Sequence, residues 1–93
     1  MTERILEQKL VSAVKAAGGI CIKLSCPQYA GMPDRLCIFP GGRVCFVEVK
    51  RPGMKPRPLQ LVRHGMLRCL GFKVFVLDDV EQIPGILEDV MPV

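Results

Sequence analysis

Glycine and proline cut this chain into short segments, and their spacing limits what it can fold into. Gly18-Gly19 end a first helical stretch, Pro40-Gly41-Gly42 divide the next region, Pro52-Gly53 follow it, and Gly71 closes a second helical stretch. Over residues 3–17, Leu6, Leu10, Ala13, Val14 and Ala17 recur at i, i+4, i+7, i+8 and i+11. That is the stripe of an amphipathic helix, with Thr2 placed as its N-cap. Residues 20–25 favour a strand through their β-branched content and length. Pro27, Gly31 and Pro33 make residues 26–33 a loop. Residues 34–39 and 43–50 form two strands of a hairpin that turns through Pro40-Gly41-Gly42. A helix is predicted from Pro58, a residue suited to a first helical position, with Leu59, Val62, Met66, Cys69 and Leu70 as its buried stripe. Residues 72–77 predict a strand that is apolar except for Lys73. Asp78 with Glu81 predicts a capped last helix, which Pro84 interrupts.

The predicted order is αβββαβ followed by a last short helix. A strand, a helix and a further strand in sequence require a crossover, hence at least one parallel pair, while the earlier strands can form an antiparallel meander. The expected fold is α/β, a small mixed sheet flanked by helices. At 93 residues, 49% of them hydrophobic, the chain reads as a single domain, 1–93, with a thin core.

No apolar run approaches the roughly 18 residues of a membrane span, and the N-terminus leads into an amphipathic stretch with no signal-peptide core. A cytoplasmic location without membrane contact is therefore expected. The cysteines Cys21, Cys26, Cys37, Cys45 and Cys69 are odd in number and contain no C-x-x-C pair. That argues against a disulfide framework or a zinc knuckle and for reduced, mostly buried thiols.

The net charge is +4, but its distribution carries more information. Between Glu48 and Asp78 the chain has no acidic residue and holds Lys50, Arg51, Lys55, Arg57, Arg63, Arg68 and Lys73. After Lys73 the sign reverses, with Asp78, Asp79, Glu81, Glu88 and Asp89. This segregation suits a face that meets a polyanion. Ordinary solvated faces have the same composition, so charge alone leaves the two readings level.

The strand Val44-Cys45-Phe46-Val47-Glu48-Val49-Lys50 places Glu48 and Lys50 on one face, about 6.6 Å apart along the chain. The hairpin can return the Asp34 end of the preceding strand beside Glu48. Two carboxylates that leave positions open for water and phosphate suit Mg²⁺ or Mn²⁺, and a lysine beside them can orient water or offset charge on phosphate. A surface ion pair on a strand would show the same Glu48–Lys50 spacing.

The whole set is more specific. Gly31-Met32-Pro33-Asp34-Arg35, then Glu48-Val49-Lys50, then Pro58-Leu59-Gln60 resembles the PD-(D/E)XK nuclease superfamily, and within it the virus-type replication-repair nuclease (VRR-NUC) domain. The resemblance runs from about Glu7 through Val76. It implies a restriction-endonuclease-like core and assigns Asp34 and Glu48 as metal ligands with the Val49 backbone carbonyl. It implies that Lys50 positions the attacking water, that Gln60 helps hold the lysine or water, and that Glu7 is the first-helix glutamate at or near the metal. Arg57 stands where family members often carry a capping serine or threonine.

The resulting expectation is a Mg²⁺- or Mn²⁺-dependent DNA endonuclease, structure-selective in the manner of a Holliday-junction resolvase, acting in replication, recombination or repair. Lys23, Arg35, Arg51, Lys55, Arg57 and Arg63 are the expected contacts to the DNA backbone. A homodimer is expected, because a small core gains stability from a symmetric interface and two sites suit a branched, two-fold substrate. The rival readings are a non-catalytic nucleic-acid-binding module on the same fold and a small protein–protein adaptor. His64, one turn after Gln60, could be a general base, but a lone histidine is more often a polar surface residue. Tyr29 could stack on a base or pack on its own domain.

Overall fold

The computed structural model describes residues 1–92. Helix α1, Glu3–Ala16, starts where Thr2 Oγ1 accepts a hydrogen bond from the Ile5 amide at 3.1 Å. Leu6, Leu10 and Val14 are its buried face, as the periodicity predicts. The helix ends at Gly18, whose φ of 86° a residue with a Cβ rarely adopts.

The sheet is built from β1 (Ile20–Lys23), β2 (Arg35–Phe39), β3 (Arg43–Val49) and β4 (Lys73–Leu77), in the order β1-β2-β3-β4. The first three strands form the antiparallel meander, and β3 pairs with β4 in parallel across helix α2, Pro58–Cys69. A 3₁₀ turn, Val80–Gln82, leads into α3, Ile83–Val90. Among the described residues no helix is long and apolar enough to cross a membrane.

The two sheet faces are packed differently. On one, α1 and α3 cover Cys37, Phe39, Cys45, Val47, Val49 and Leu77 in the main core. On the other, α2 covers a smaller cluster of Phe46, Leu67 and Val74, with Leu24, Met32, Leu36 and Met66 around it. Cys37 and Cys45 are buried, Cys21 and Cys26 half-buried and Cys69 exposed, all with free thiols. Cys21, Cys37 and Cys45 form a row across three strands.

Three expectations need correction. The inward face of α2 is Gln60, His64 and Leu67, whereas Leu59, Val62, Cys69 and Leu70 of the expected stripe are exposed and Met66 is only half-buried. The helix is rotated to present polar side chains to a buried carboxylate. Pro84 does not interrupt the last helix. It lies in its first turn, where a missing amide hydrogen costs no helical bond. The cap of the preceding turn is Asp79, which accepts from the Glu81 amide at 3.0 Å, with Gln82 in place of the expected Glu81 reaching back to the Asp78 and Asp79 amides.

Candidate active site

The β2–β3 register pairs Arg35 with Val47 and Leu36 with Phe46. One step further sets Asp34 opposite Glu48, as the hairpin requires. Strand alternation turns both carboxylates toward α2. The Asp34 carbonyl accepts from the Leu24 amide at 2.9 Å, and its Oδ2 accepts from the Val49 amide at 2.8 Å. Asp34 is thus fixed to both neighbouring strands just before β2 begins. Lys50 follows the end of β3. Its amide donates to the Leu77 carbonyl at 2.8 Å, and its Nζ lies 3.7 Å from Glu48 Oε2.

Glu48 is only 1% exposed, an expensive place for a charge unless it is paired and hydrogen-bonded. Gln60 Nε2 donates to Glu48 Oε2 at 3.1 Å, while Gln60 Oε1 accepts from the Arg57 amide at 2.7 Å. One side chain therefore caps the start of α2 and holds Glu48. Arg57 carries only side-chain donors and cannot accept from the first-turn amides as a serine or threonine would; Gln60 supplies the reciprocal half of a capping box by accepting from the Arg57 amide. Among the described residues Glu48 Oε1 has no hydrogen-bond partner. Burial, then the charge of Asp34 and a hydrogen bond shared with it, push the Glu48 carboxyl up to about 8, against the opposing pull of Lys50.

His64 is fully buried, contrary to the expectation of a surface residue. Its Nε2 lies 3.5 Å from Glu48 Oε1, and among the described residues neither ring nitrogen has a hydrogen-bond partner. Burial lowers its pKa, helped by the positive charges of Arg68 and Lys50. The sequence signal for its burial was its i+4 position from Gln60, which puts both on one helix face.

Asp34, Glu48, Lys50 and Gln60 are therefore brought together, with the Val49 backbone between the carboxylates and the lysine. Glu7 is engaged elsewhere. Its Oε2 accepts from Arg35 Nε at 2.7 Å, and Arg35, next to Asp34 in sequence, points to the opposite sheet face. Glu3, one turn earlier on α1, adds a small upward push to the Glu48 carboxyl. Among the described residues no three His, Cys, Asp or Glu side chains converge to hold a metal ion.

The basic residues divide into two groups. Arg51, Lys55 and Arg57 are exposed, make no ion pair among the described residues, and line a groove of about 360 Å³ with Glu3 and Lys50. Lys23 is exposed beside a second groove, lined by Glu3, Glu7 and Arg35. Arg35 and Arg63, in contrast, make internal contacts. Arg63 donates to the Ala30 carbonyl at 2.8 Å and lies 5.4 Å from the centroid of the Tyr29 ring, which ties the loop before Asp34 to α2.

No family model matches the chain. A protein of Acyrthosiphon pisum secondary endosymbiont phage 1 named "Putative nuclease p44" is 49% identical over 76 residues, covering 82% of this chain and 82% of the relative. A solved structure described as a VRR_NUC domain superposes with a TM-score of 0.88 at 36% identity, covering 96% of this chain and 97% of that one. The paired strands bearing Asp34 and Glu48-Val49-Lys50, the helix that brings Gln60 to them, and both likenesses agree, and the chain belongs to the VRR-NUC family of PD-(D/E)XK nucleases.

Proposed function

We propose that this nuclease domain is an endonuclease that hydrolyses DNA phosphodiester bonds with Mg²⁺ or Mn²⁺. The observation that carries the reading is Asp34, one residue beyond the paired end of β2, which accepts from the Val49 amide at 2.8 Å and lies against Glu48, with Lys50 Nζ 3.7 Å from the latter. The site suits a hard cation. Two facing carboxylates repel, Glu48 is pushed up to about 8, and its buried Oε1 lacks a partner. Asp34, Glu48 and the Val49 carbonyl would hold the ion, an oxygen set suited to Mg²⁺ or Mn²⁺. When bound, the ion supplies Lewis-acid polarisation of the phosphate and a lowered pKa for water.

The remaining work belongs to the side chains. Lys50 orients the attacking water and offsets charge that grows on the phosphate oxygens. Gln60 holds Glu48 at a fixed angle. Glu7 holds Arg35, while Glu3 adds negative charge at the open side of the site. Lys23, Arg51, Lys55 and Arg57 hold the DNA backbone, giving salt-dependent and largely sequence-independent binding. Arg35 and Arg63 contribute less to that binding because they are engaged internally.

The assembly is a homodimer acting on branched DNA. Support comes from Leu59, Leu61 and Val62, apolar side chains of α2 that are each exposed and that a second copy can bury. Cleavage of single-stranded, duplex, flap and four-way-junction DNA with Mg²⁺, Mn²⁺ or excess EDTA tests the reading. Metal-dependent cleavage that favours the junction is expected. Full activity in EDTA overturns the metal assignment. Equal rates on linear duplex and junction, with a one-chain mass by light scattering, overturn the paired-site assembly.

A further inference from the structure

We propose that His64 is a positioning residue for the cation site, setting the Glu48 carboxylate through a hydrogen bond from Nε2 to Glu48 Oε1. The inference deepens the reading of Asp34 and Glu48 as a cation site and rests on it. Helix α2 aims two polar side chains inward, and both meet the same carboxylate from one helix face. Gln60 takes Oε2 at 3.1 Å, and His64 stands at Oε1 at 3.5 Å. The second contact lies just outside the usual hydrogen-bond range, so a shift of about half an ångström closes it.

A purely structural role does not account for this arrangement. His64 is fully buried, yet among the described residues neither of its nitrogens has a partner, and the atom facing it is also unsatisfied. Unpaired buried polar atoms cost stability, and an apolar side chain of similar size would avoid that cost. A histidine here therefore has its use through Glu48. Each carboxylate oxygen can accept more than one bond, so a donor on Oε1 is compatible with a cation on the same group. With both oxygens held by α2, Glu48 meets the cation in one orientation.

The test titrates the metal-free protein with Mn²⁺ in a calorimeter, without DNA, alongside thermal melts. His64→Leu is expected to weaken Mn²⁺ binding about 10- to 100-fold, the usual effect of losing a partner to a ligating group, while the melting temperature holds or rises. His64→Gln should recover most of the affinity, because its amide nitrogen lies near the position of Nε2. His64→Asn should not, since its nitrogen falls short of that position. In cleavage, the Leu variant should lower kcat and leave KM for DNA unchanged. Wild-type Mn²⁺ affinity in His64→Leu overturns the proposal. If that variant fails to fold, equal impairment of the Gln and Asn variants does the same. Asp34→Asn separates this outcome from failure of the underlying reading. Were Mn²⁺ not to bind the wild type, or to bind Asp34→Asn equally well, the cation site itself would be wrong and the role of His64 would fall with it.

Discussion

The two faces of the sheet are buried for different purposes. Under α1 and α3, Leu6, Leu10, Val14, Val47, Val49 and Leu77 are fully buried hydrocarbon in one cluster with Ile83 and Ile86. Under α2, a much smaller apolar cluster shares its space with Glu48, Gln60 and His64. Burial on the first face stabilises the fold at roughly 25 cal/mol per Å² of apolar area. Burial on the second is partly unfavourable, because it takes a carboxylate and an imidazole out of water with incomplete hydrogen bonding. On the proposed reading, apolar packing and the polar site are segregated to opposite faces of the sheet. Asp34 and Arg35, neighbours in sequence, fall on opposite sides of that division.

Substitutions on the α1 face should affect stability alone. Leu10→Ala is expected to cost about 2–5 kcal/mol, read as a lower midpoint of urea unfolding, with cleavage per folded molecule unchanged. A rate loss greater than the loss of folded protein would break the division. Lys50→Met should show the converse. The single-turnover rate should fall on the order of 10²–10³-fold, while the unfolding midpoint and most DNA affinity remain. Cutting at the wild-type rate would remove Lys50 from the chemistry.

The loop that delivers Asp34 should give smaller effects. Gly31 has φ of 88°, and a Cβ there would stand 2.9 Å from Leu59 side-chain and backbone atoms. Gly31→Ala should therefore cost roughly 1–3 kcal/mol of stability through strain and contact, and cleavage should fall with it because the loop and α2 both border the site. Arg63→Ala should have the least effect, about 0.5–1.5 kcal/mol for one lost hydrogen bond, and should alter the salt dependence of DNA binding little. A salt slope reduced by about one unit would instead make Arg63 a phosphate contact.

The same division explains which parts of the structure were legible in the sequence. The stripe Leu6, Leu10, Val14 faces hydrocarbon, so apolar periodicity reports its buried side directly. The hairpin fixes the register, and alternation then places Asp34 against Glu48 before any coordinate is known. Helix α2 defeats the same method because its inward residues are Gln60 and His64, while its apolar residues Leu59 and Val62 face outward. A periodicity rule seeks apolar side chains and turns such a helix the wrong way. The internal contacts of Arg35 and Arg63 are equally invisible in the sequence. Composition does not distinguish a guanidinium in solvent from one bound to Glu7 or to a backbone carbonyl. Glu7 matched the family pattern along the chain, and nothing in the sequence signals that its carboxylate pairs with Arg35.

The central claim is that the α2 face gives up stability to hold a reactive carboxylate, and Glu48→Gln tests it most directly. The substitution keeps size and removes the ionisable carboxyl that faces Asp34. Urea unfolding and single-turnover cleavage would be measured on the same preparation of that variant and the wild type. The account predicts an unfolding midpoint equal to or above that of the wild type, together with loss of cleavage. A variant that is less stable and still cuts DNA at the wild-type rate would contradict it.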